Sequence, residues 1–422
     1  MRSARNRAWP VIPVVLGAMI LAACERSAPR GSQALERDSA GVRIVENIGD
    51  APPAIWTIAR EPAAVIGVED GDSMHLLFRV RGAVAIGENE IVIANGAPPM
   101  LRWFDRDGQF LRGTGRTGAG PGEFQGMEGG AGNITALWPL GEDSIGTWEH
   151  PFRRMQVFSP SGEYVHSVVL ELPADMHPAA YPQIVGRVGN DGFVAYISMF
   201  GEPRNTSGTW RDSLTFARWM SDGTYADTVA FLPGIESQNS EFMGRRSRGR
   251  VPFGKPMAVW ADSTGFYYGS GDRFEISAYH PSGELRMIVR RDAPLRPITD
   301  EDEEEYIQEQ MRGAPEEPEV RRAWEVTLRA APFPDSLPAY RRIRTDRLGN
   351  LWVQEFDLPN EPEITWHVFD SRGLWLSIVR VPENWQIQDI GRDYILVITT
   401  NEMDVEVVQL FELHRSSIDE SS

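Results

Sequence analysis

The sequence lacks several features on which folds and reactions commonly depend. Its only cysteine is Cys24, so no disulfide bond can form within the chain, and folding must rest on the burial of side chains. Its only lysine is Lys255, so arginine supplies nearly all of the positive charge, a skew that we attribute to coding bias. The chain contains no strong catalytic motif: HExxH, GxSxG, a phosphate-loop lysine and a Cys–His pair are all missing from it.

Positive charge is also scarce relative to negative charge. The 422 residues include 60 Asp and Glu against 42 Lys and Arg, a formal net charge of −18. So acidic a surface argues against non-specific binding of nucleic acid, because phosphate contacts need clustered positive charge. The 41% hydrophobic content and 13 tryptophans argue against disorder and provide enough apolar surface for a large core.

The N-terminus has the pattern of a secretory signal. Three arginines within the first seven residues precede an apolar run, Val11–Leu21, which is too short to span a bilayer comfortably. The tetrapeptide Leu21–Cys24, LAAC, resembles a bacterial lipobox. The resemblance implies a lipoprotein signal peptide at residues 1–23, cleavage before Cys24 and lipidation of Cys24; an ordinary signal peptide with an accidental cysteine is the alternative. Cleavage also removes the three arginines, so the charge becomes −21.

These features predict a lipid-anchored protein of the cell envelope that faces the periplasm or the exterior. Glu25, rather than an aspartate, follows the cysteine, which favours the outer membrane over the inner one. Residues 24–41 are polar and rich in small side chains, so we expect them to form a flexible tether behind the lipid. The folded domain is then expected at 42–415, with a disordered tail at 416–422.

One stretch, Pro99–Phe124, organises the rest of the chain. Alternation over its first residues predicts a strand, and Gly108 can take the positive φ of a tight hairpin turn. A glycine-rich segment, Gly113–Gly122, then ends the second strand. We interpret it as a connection rather than a phosphate-binding loop, because no Gly-Lys-Ser/Thr follows it. Similar turns, each preceded by two more strand-like runs, recur at Gly162, Gly223, Gly283 and Gly373.

Each repeat therefore has about four strands, the size of one propeller blade. Five complete repeats, and a sixth shared by the two ends of the chain, account for the domain. Pro62–Gly67 is expected to supply the outer strand of the last blade, and Val42–Glu46 to extend that closure. The segment Gly115–Phe124, GRTGAGPGEF, follows a strand–DxDG–strand unit and resembles the NHL-type repeat of six-bladed β-propellers. We thus expect an all-β, six-bladed β-propeller of four-stranded blades, closed by an N-terminal strand.

One segment between the fourth and fifth repeats breaks the β pattern. Thr299 has the character of an N-cap, with Asp302 three residues later and acidic residues in the first turn, so a helix is predicted to Met311. A second helix is predicted over Glu319–Ala330. We expect residues 299–338 to form a short helical insertion on one rim of the disc.

A basic cluster, Arg245–Arg250, lies in a predicted long loop between the third and fourth repeats. We interpret it as a solvated loop, with the chain's own acids, anionic lipid or glycan as the alternative partners.

Candidate site residues follow from the predicted architecture. The inner strands of a propeller converge on a channel, and the loops between second and third strands line one of its mouths. The second strands are expected to end at Asn95, Glu149 with His150, Ser198, Asp272 with Arg273, Glu355 and Asn401.

Hard oxygen donors at equivalent positions around a ring suit Ca²⁺ or Mg²⁺, so Glu149, Asp272 and Glu355 are candidate metal ligands. His150 would add a nitrogen ligand that favours a transition metal, or would act as a base. The alternative is a polar rim, because strand ends meet solvent in any case. We interpret the other histidines as structural or surface residues.

We expect non-catalytic binding of a protein, peptide or glycan through one face of the disc, since propellers resembling this one often serve as interaction platforms. The alternative is a divalent-metal-dependent hydrolase or lyase of the gluconolactonase-like propeller type, with its site at the mouth of the channel. That alternative rests on fold analogy.

Overall fold

The computed structural model describes residues 33–49, 52, 54–126, 134–141, 144–174, 176–177, 180–189, 192–198, 207–401 and 403–416. The predicted signal peptide, Cys24 and the tail at 417–422 lie outside the described residues. Five short strands begin the described chain: β1 (Gln33–Ser39), β2 (Val42–Ile48), β3 (Ala54–Ile55), β4 (Thr57–Ile58) and β5 (Ala64–Ile66).

The first two sheets have four antiparallel strands each. Sheet 1 consists of β6 (Gly82–Ile86), β7 (Glu90–Gly96), β8 (Pro99–Asp105) and β9 (Phe110–Thr114). Sheet 2 consists of β10 (Ile134–Pro139), β11 (Ile145–Glu149), β12 (Arg154–Phe158) and β13 (Tyr164–Val169). A short 3₁₀ turn, His150–Phe152, separates β11 from β12.

The next two sheets are larger. Sheet 3 consists of β14 (Tyr181–Val188), β15 (Gly192–Ser198), β16 (Thr209–Met220), β17 (Tyr225–Phe242) and β18 (Arg245–Arg250). Sheet 4 consists of β19 (Ala258–Asp262), β20 (Gly265–Gly269), β21 (Glu275–Tyr279) and β22 (Leu285–Arg291), with β2 and β1 added outside β22.

Two helices, α1 (Asp300–Arg312) and α2 (Pro318–Arg329), follow sheet 4. Sheet 5 consists of β23 (Tyr340–Thr345), β24 (Leu351–Glu355), β25 (Glu363–Phe369) and β26 (Trp375–Pro382), with β3 outside β26. Sheet 6 consists of β27 (Gln386–Ile390), β28 (Tyr394–Thr400) and β29 (Glu406–His414), and β29 also pairs with β4 and β5.

Six apolar clusters of the described residues join each sheet to the next in a closed cycle. Trp103 of sheet 1, for example, packs with Ile145 and Phe158 of sheet 2, and the cluster around Ile66 and Leu396 joins sheet 6 back to sheet 1. The intervening clusters join sheets 2 and 3, 3 and 4, 4 and 5, and 5 and 6. A cycle of twisted sheets packed face to face is a β-propeller, so the predicted fold class is confirmed. The described residues form six sheets, the number that the repeats suggest for blades.

The ring is closed largely as the sequence indicates. Ala64–Ile66 pairs antiparallel with Leu410–Val408 of β29 and supplies the outer strand of sheet 6. The expectation for Val42–Glu46 was wrong, because β2 pairs in parallel with β22 of sheet 4. Val45 is fully buried between sheets 4 and 5, and the Asn47 side chain bonds to the backbone of Gly373 and Trp375.

Two segments expected to lack regular structure are strands. Gln33–Ser39, assigned to the tether, forms a hairpin with β2, so the tether is shorter than predicted. The basic cluster is β18, paired with the long strand β17 rather than lying in a loop. The helical insertion is confirmed: Thr299 caps α1, its side chain accepting from the Asp302 backbone while the Asp302 carboxylate accepts from the Thr299 backbone.

The antiparallel order gives the disc two different faces. Connections between first and second strands, and between third and fourth strands, lie on one face, which we call the turn face. There Gly189 of sheet 3 donates to the Ser263 carbonyl of sheet 4. Connections between second and third strands, and those from one sheet to the next, lie on the other, which we call the loop face. The helical insertion and the tip of the β17–β18 hairpin belong to the loop face.

Candidate functional site

Asn95 at the end of β7 is a structural residue. It is completely buried, its Oδ1 accepts a hydrogen bond from the Phe78 backbone (2.7 Å), and its Nδ2 donates to the Pro98 carbonyl (2.8 Å). A buried amide needs such partners, because an unpaired polar group away from water is costly. Asn95 therefore fixes the chain as it enters sheet 1, and its polar atoms face protein rather than a ligand.

Glu149 at the end of β11 is the centre of a buried ion pair. Its side chain is 0% exposed and receives Arg154 Nε at 2.7 Å, Gln156 Nε2 at 3.1 Å and the Gln125 backbone at 2.9 Å. Arg154 also donates to the Glu123 carbonyl at 2.8 Å, at the end of the glycine-rich connection. Through these hydrogen bonds, the Glu149 carboxylate and Arg154 hold the end of the glycine-rich connection against sheet 2.

His150 follows Glu149 in the chain, but its side chain forms no hydrogen bond or ion pair with the Glu149 side chain. Its ring packs edge-on against Tyr181 with centroids 4.7 Å apart, and its Nδ1 lies 2.9 Å from Nε2 of Gln183. Burial lowers the pKa of His150 below its ordinary value, so the ring is neutral at neutral pH.

Asp272 and Arg273 lie in the connection between β20 and β21 of sheet 4, and each has its own charged partners. Asp272 pairs with Lys255 at 2.8 Å and with Arg211 at 3.2 Å. Partial burial raises the pKa of Asp272, but hydrogen bonds from Lys255 and Ser270 and the two positive charges outweigh it, so the pKa lies below its usual value. Arg273 reaches Glu275 at 2.9 Å and stays exposed.

Glu355 and Asn401 occupy the corresponding places in sheets 5 and 6. The Glu355 side chain is half exposed and lies 3.3 Å from Nε2 of His367, which is buried beneath it. Asn401 shapes its own loop: its Oδ1 accepts from the backbones of Met403 and Val405, and its Nδ2 donates to Glu69 at 3.0 Å.

The three candidate metal ligands do not form a cluster in the described part of the chain. Within the part of the chain that the structure describes, no group of three or more His, Cys, Asp or Glu side chains could hold a metal ion. Glu149 and Glu355 instead pair with Arg154 and His367 of their own sheets, and Asp272 pairs with Arg211 of sheet 3 and with Lys255 before sheet 4. Two of the three carboxylates are neutralised by arginine or lysine, a donor set that competes with a cation and does not fit it.

A cavity of about 320 Å³ opens beside Glu355 on the loop face, and we call it the interblade cavity. It lies between the ends of sheets 4 and 5 and is bounded by the connection that carries the helical insertion. Its charged lining consists of Arg291, Arg296, Glu355, Asp357, Glu361 and Glu363. Apolar walls come from Phe274, Leu337, Phe356 and Ile364.

The charges of the interblade cavity are preorganised. Arg291 stacks over the ring of Trp375 at 4.6 Å, and Arg296 bridges Glu361 (2.9 Å) and Asp302 (3.0 Å) at the start of α1. The hydrogen bond with His367 is the largest cause that lowers the pKa of Glu355, whereas burial lowers the pKa of His367 itself. Because His367 is nearly inaccessible, burial dominates, and its ring is neutral at neutral pH.

Two further cavities lie elsewhere. One of about 670 Å³, which we call the hairpin cavity, is on the loop face between the β17–β18 hairpin and the end of α2, with Gln238, Ser240, Glu241, Arg246 and Pro332 in its wall. Another of about 460 Å³ opens on the turn face between sheets 6 and 1, near Arg106 and Tyr394. The hairpin cavity and the interblade cavity both open on the loop face, beside the irregular segments of sheets 3 to 5.

Sequence patterns identified only one lining residue of the interblade cavity, Glu355. Arg291 ends β22, Arg296 lies in the connection that follows, and Glu361 lies in the connection between β24 and β25, so no sequence motif joins the three. His367 was interpreted as structural or surface, and its position beneath Glu355 follows from strand pairing across sheet 5. β17 has 18 residues, more than a blade strand needs, and this extension into the hairpin is visible only in the structure.

No helix among the described residues is long and apolar enough to cross a membrane.

No family model matches the sequence, and no curated protein matches it. Similar solved structures include a protein from Bacteroides fragilis that is named as exported, at 11% identity and a TM-score of 0.45, covering 89% of this chain and 100% of that chain. A member of the DUF4221 family from Bacteroides vulgatus is 10% identical over 86% of this chain and 99% of that one, with a TM-score of 0.49. Virginiamycin B lyase from Staphylococcus aureus is 11% identical over 79% of this chain and 95% of that one, with a TM-score of 0.34. These values are too low to transfer an activity, and the NHL type of the repeats stays a prediction.

Proposed function

We propose that this chain is an exported, lipid-anchored β-propeller of the cell envelope that binds a protein, peptide or glycan ligand at its loop face without catalysing a reaction. The observation that carries the proposal is the interblade cavity, where arginine and carboxylate side chains from distant segments converge beside apolar walls. Concave sites with a few convergent polar groups on apolar walls are the usual form of binding sites.

The chemistry of the lining suits a polar, extended ligand. Arg291 and Arg296 offer donors to carboxylate or hydroxyl groups, and Glu355 and Glu363 accept from amide or hydroxyl groups. Phe274 and Phe356 offer aromatic surface for apolar side chains or sugar faces. A peptide or a glycan has this mixture of groups.

A binding role is supported by the environments of the candidate metal ligands. Glu149 is fully buried against Arg154, and Asp272 is bridged by Lys255 and Arg211, so neither carboxylate is placed to activate water. The neutral ring of His367 lies under Glu355, but its Nδ1 is buried and has no partner among the described residues. This arrangement fixes Glu355 and exposes no histidine nitrogen to a substrate.

The location and the anchor form part of the same proposal. The signal-like N-terminus and the LAAC tetrapeptide support lipidation of Cys24, with the outer membrane favoured by Glu25. The Cys24→Ser variant should leave the membrane fraction for the soluble fraction after cell disruption. Continued sedimentation of this variant with membranes would contradict the lipid anchor.

Photo-crosslinking in living cells tests the binding face. A benzoylphenylalanine replaces exposed Glu363 beside the interblade cavity, and a matched variant carries it at exposed Ser282 on the turn face. We expect a discrete adduct, identified by mass spectrometry, only at position 363. An adduct at 282 alone, or none at 363, contradicts binding at the loop face.

A further inference from the structure

The direction of β1 locates the place where the chain reaches the disc. β2 runs parallel to β22, with Asn47 opposite Arg291, so it ends on the loop face. β1 runs antiparallel to β2, with Gln33 opposite Ile48, so Gln33 also lies at the loop face, on the outer rim of sheet 4. Gln33 is nine residues after Cys24. Nine residues span at most roughly 30 Å, so a lipid on Cys24 holds this rim close to the bilayer.

The neighbouring rim of sheet 3 carries the most basic segment of the molecule. β18 is the outermost strand of that sheet, and it contributes four arginines within Arg245–Arg250. The residues of β17 beyond Gln238 pair only with β18, so the hairpin overhangs the loop face. At its apex Met243 is 62% exposed and has a φ of 49°, followed by Gly244 at 76°.

The arginines of this hairpin differ in whether acidic residues of the protein pair with them. Arg248 pairs with Asp212 and Ser237 at the base of the hairpin. Arg245 and Arg250 are exposed, and within the described part of the chain their guanidinium groups form no hydrogen bond or ion pair, although the Arg250 carbonyl accepts from Gln238. Glu241 is the acidic side chain of the hairpin near the apex, and α2 covers that side, with Thr327 donating to the Glu241 carbonyl. A net positive apex therefore stands on a chain whose overall charge is −18.

Exposed apolar side chains accompany the charges on the same rim. Leu35 is 58% exposed and Ile48 is 39% exposed, both beside the point where the chain reaches sheet 4. Arginines around exposed apolar residues are the composition of surfaces that rest on anionic lipid headgroups.

We propose that the apex of the β17–β18 hairpin, Phe242–Arg246, rests on the anionic phospholipid surface of the membrane that holds the anchor. The proposal rests on the lipid anchor inferred above and adds an orientation to it. The disc stands on the rim of sheets 3 and 4, and the interblade cavity remains open beside the membrane.

In the experiment that tests this orientation, the protein is coupled chemically to lipid vesicles through Cys24, the residue at which we infer the natural lipid anchor. Because Cys24 is the only cysteine, the chain from Cys24 onward can be coupled through this thiol to a maleimide-bearing phospholipid in vesicles. One set of vesicles contains equal parts of phosphatidylcholine and phosphatidylglycerol, and the other contains phosphatidylcholine without anionic lipid. Hydrogen–deuterium exchange is then measured for peptides that cover the apex.

We expect apex amides to exchange at least about tenfold more slowly on the anionic vesicles, an effect that about 0.5 M salt removes. The variant Met243→Asn/Arg245→Glu should lose this protection, and asparagine suits the left-handed conformation at 243. The control variant Leu348→Asn/Arg372→Glu makes the same kind of change on the turn face, and its apex amides should stay protected on the anionic vesicles. Equal exchange on both vesicles, or protection that survives the apex variant, overturns the proposal.

The outcome is separate from that of the proposed function. Chemical coupling supplies the tether whether or not cells lipidate Cys24, so failure of the anchor appears in fractionation and not in this experiment. Failure of ligand binding appears in the crosslinking at Glu363 and leaves the exchange at the apex unchanged.

Discussion

The two faces of this propeller are built by different means. On the turn face the same local geometry recurs: Asp105, Asp346 and Asp370 each accept two backbone hydrogen bonds within their own turns. Glycines of positive φ complete the third-to-fourth-strand turns, at 84° for Gly108 and 87° for Gly373. On the loop face the connections differ from sheet to sheet and are held by side chains from distant segments. The turn face thus repeats one local geometry, whereas the loop face has a different surface on each sheet.

The largest effect is expected from the buried ion pair of the loop face. Arg154→Ala leaves Glu149 buried without its cation and should lower the free energy of unfolding by about 3–5 kcal/mol. Arg273→Ala is the matched control, because its pair with Glu275 is at the surface and is worth roughly 1 kcal/mol or less. Urea denaturation measures both. Similar losses in the two variants would contradict the structural role of Glu149.

A smaller effect should distinguish turns that need glycine from those that do not. In Gly373→Ala, the added Cβ meets Val289 Cγ2 at 3.0 Å at a φ of 87°, so a loss of about 2 kcal/mol is expected. Gly313→Ala, in the helical insertion, is the control. Its φ is −88° and the nearest atom is 4.0 Å from the added Cβ, so stability should stay or rise by up to about 1 kcal/mol. Thermal unfolding that ranks the two variants in the opposite order would refute the comparison.

The smallest effect concerns pH and the interblade cavity. Because burial lowers the pKa of His367, the unfolded chain binds its proton at a higher pH than the folded chain does. Stability should therefore fall as the pH drops from above the ordinary histidine pKa towards the lower folded value. Glu355, whose pKa is lowered chiefly by its bond with His367, loses its contribution only below its own usual value.

The variant His367→Gln should flatten this part of the pH profile, measured as the unfolding temperature between about pH 7 and pH 5. His280→Gln, on an exposed turn-face side chain, is the control and should keep the profile of the parent. An unchanged slope in His367→Gln would show that another group causes the pH dependence.

Features that depend on residues close together in the chain could be predicted from the sequence, whereas contacts between distant segments could not. Turn glycines and the Thr299–Asp302 cap act within a few residues, so their patterns identified the repeats and the insertion. The parallel pairing of β2 with β22 has no local signal, because the two strands are far apart in the chain. The role of Glu149 was missed for a similar reason: its side chain is satisfied partly by the preceding connection, through Gln125. The ends of β11 and β24 lie at Glu149 and Glu355 as expected, whereas β20 ends at Gly269, before Asp272, and these side chains have different partners and do not converge on one ion.

Binding of the ligand captured at position 363, titrated by calorimetry, tests the central claim that recognition belongs to the loop face. Arg296 and Arg372 are matched probes. The Arg296 side chain is 53% exposed and pairs with Asp302 on the loop face, and the Arg372 side chain is 64% exposed and pairs with Asp370 on the turn face. We expect Arg296→Ala to weaken binding by about tenfold or more, because a charged hydrogen bond to the ligand is lost, whereas Arg372→Ala should leave the affinity unchanged. Weaker binding in Arg372→Ala together with unchanged binding in Arg296→Ala would contradict it.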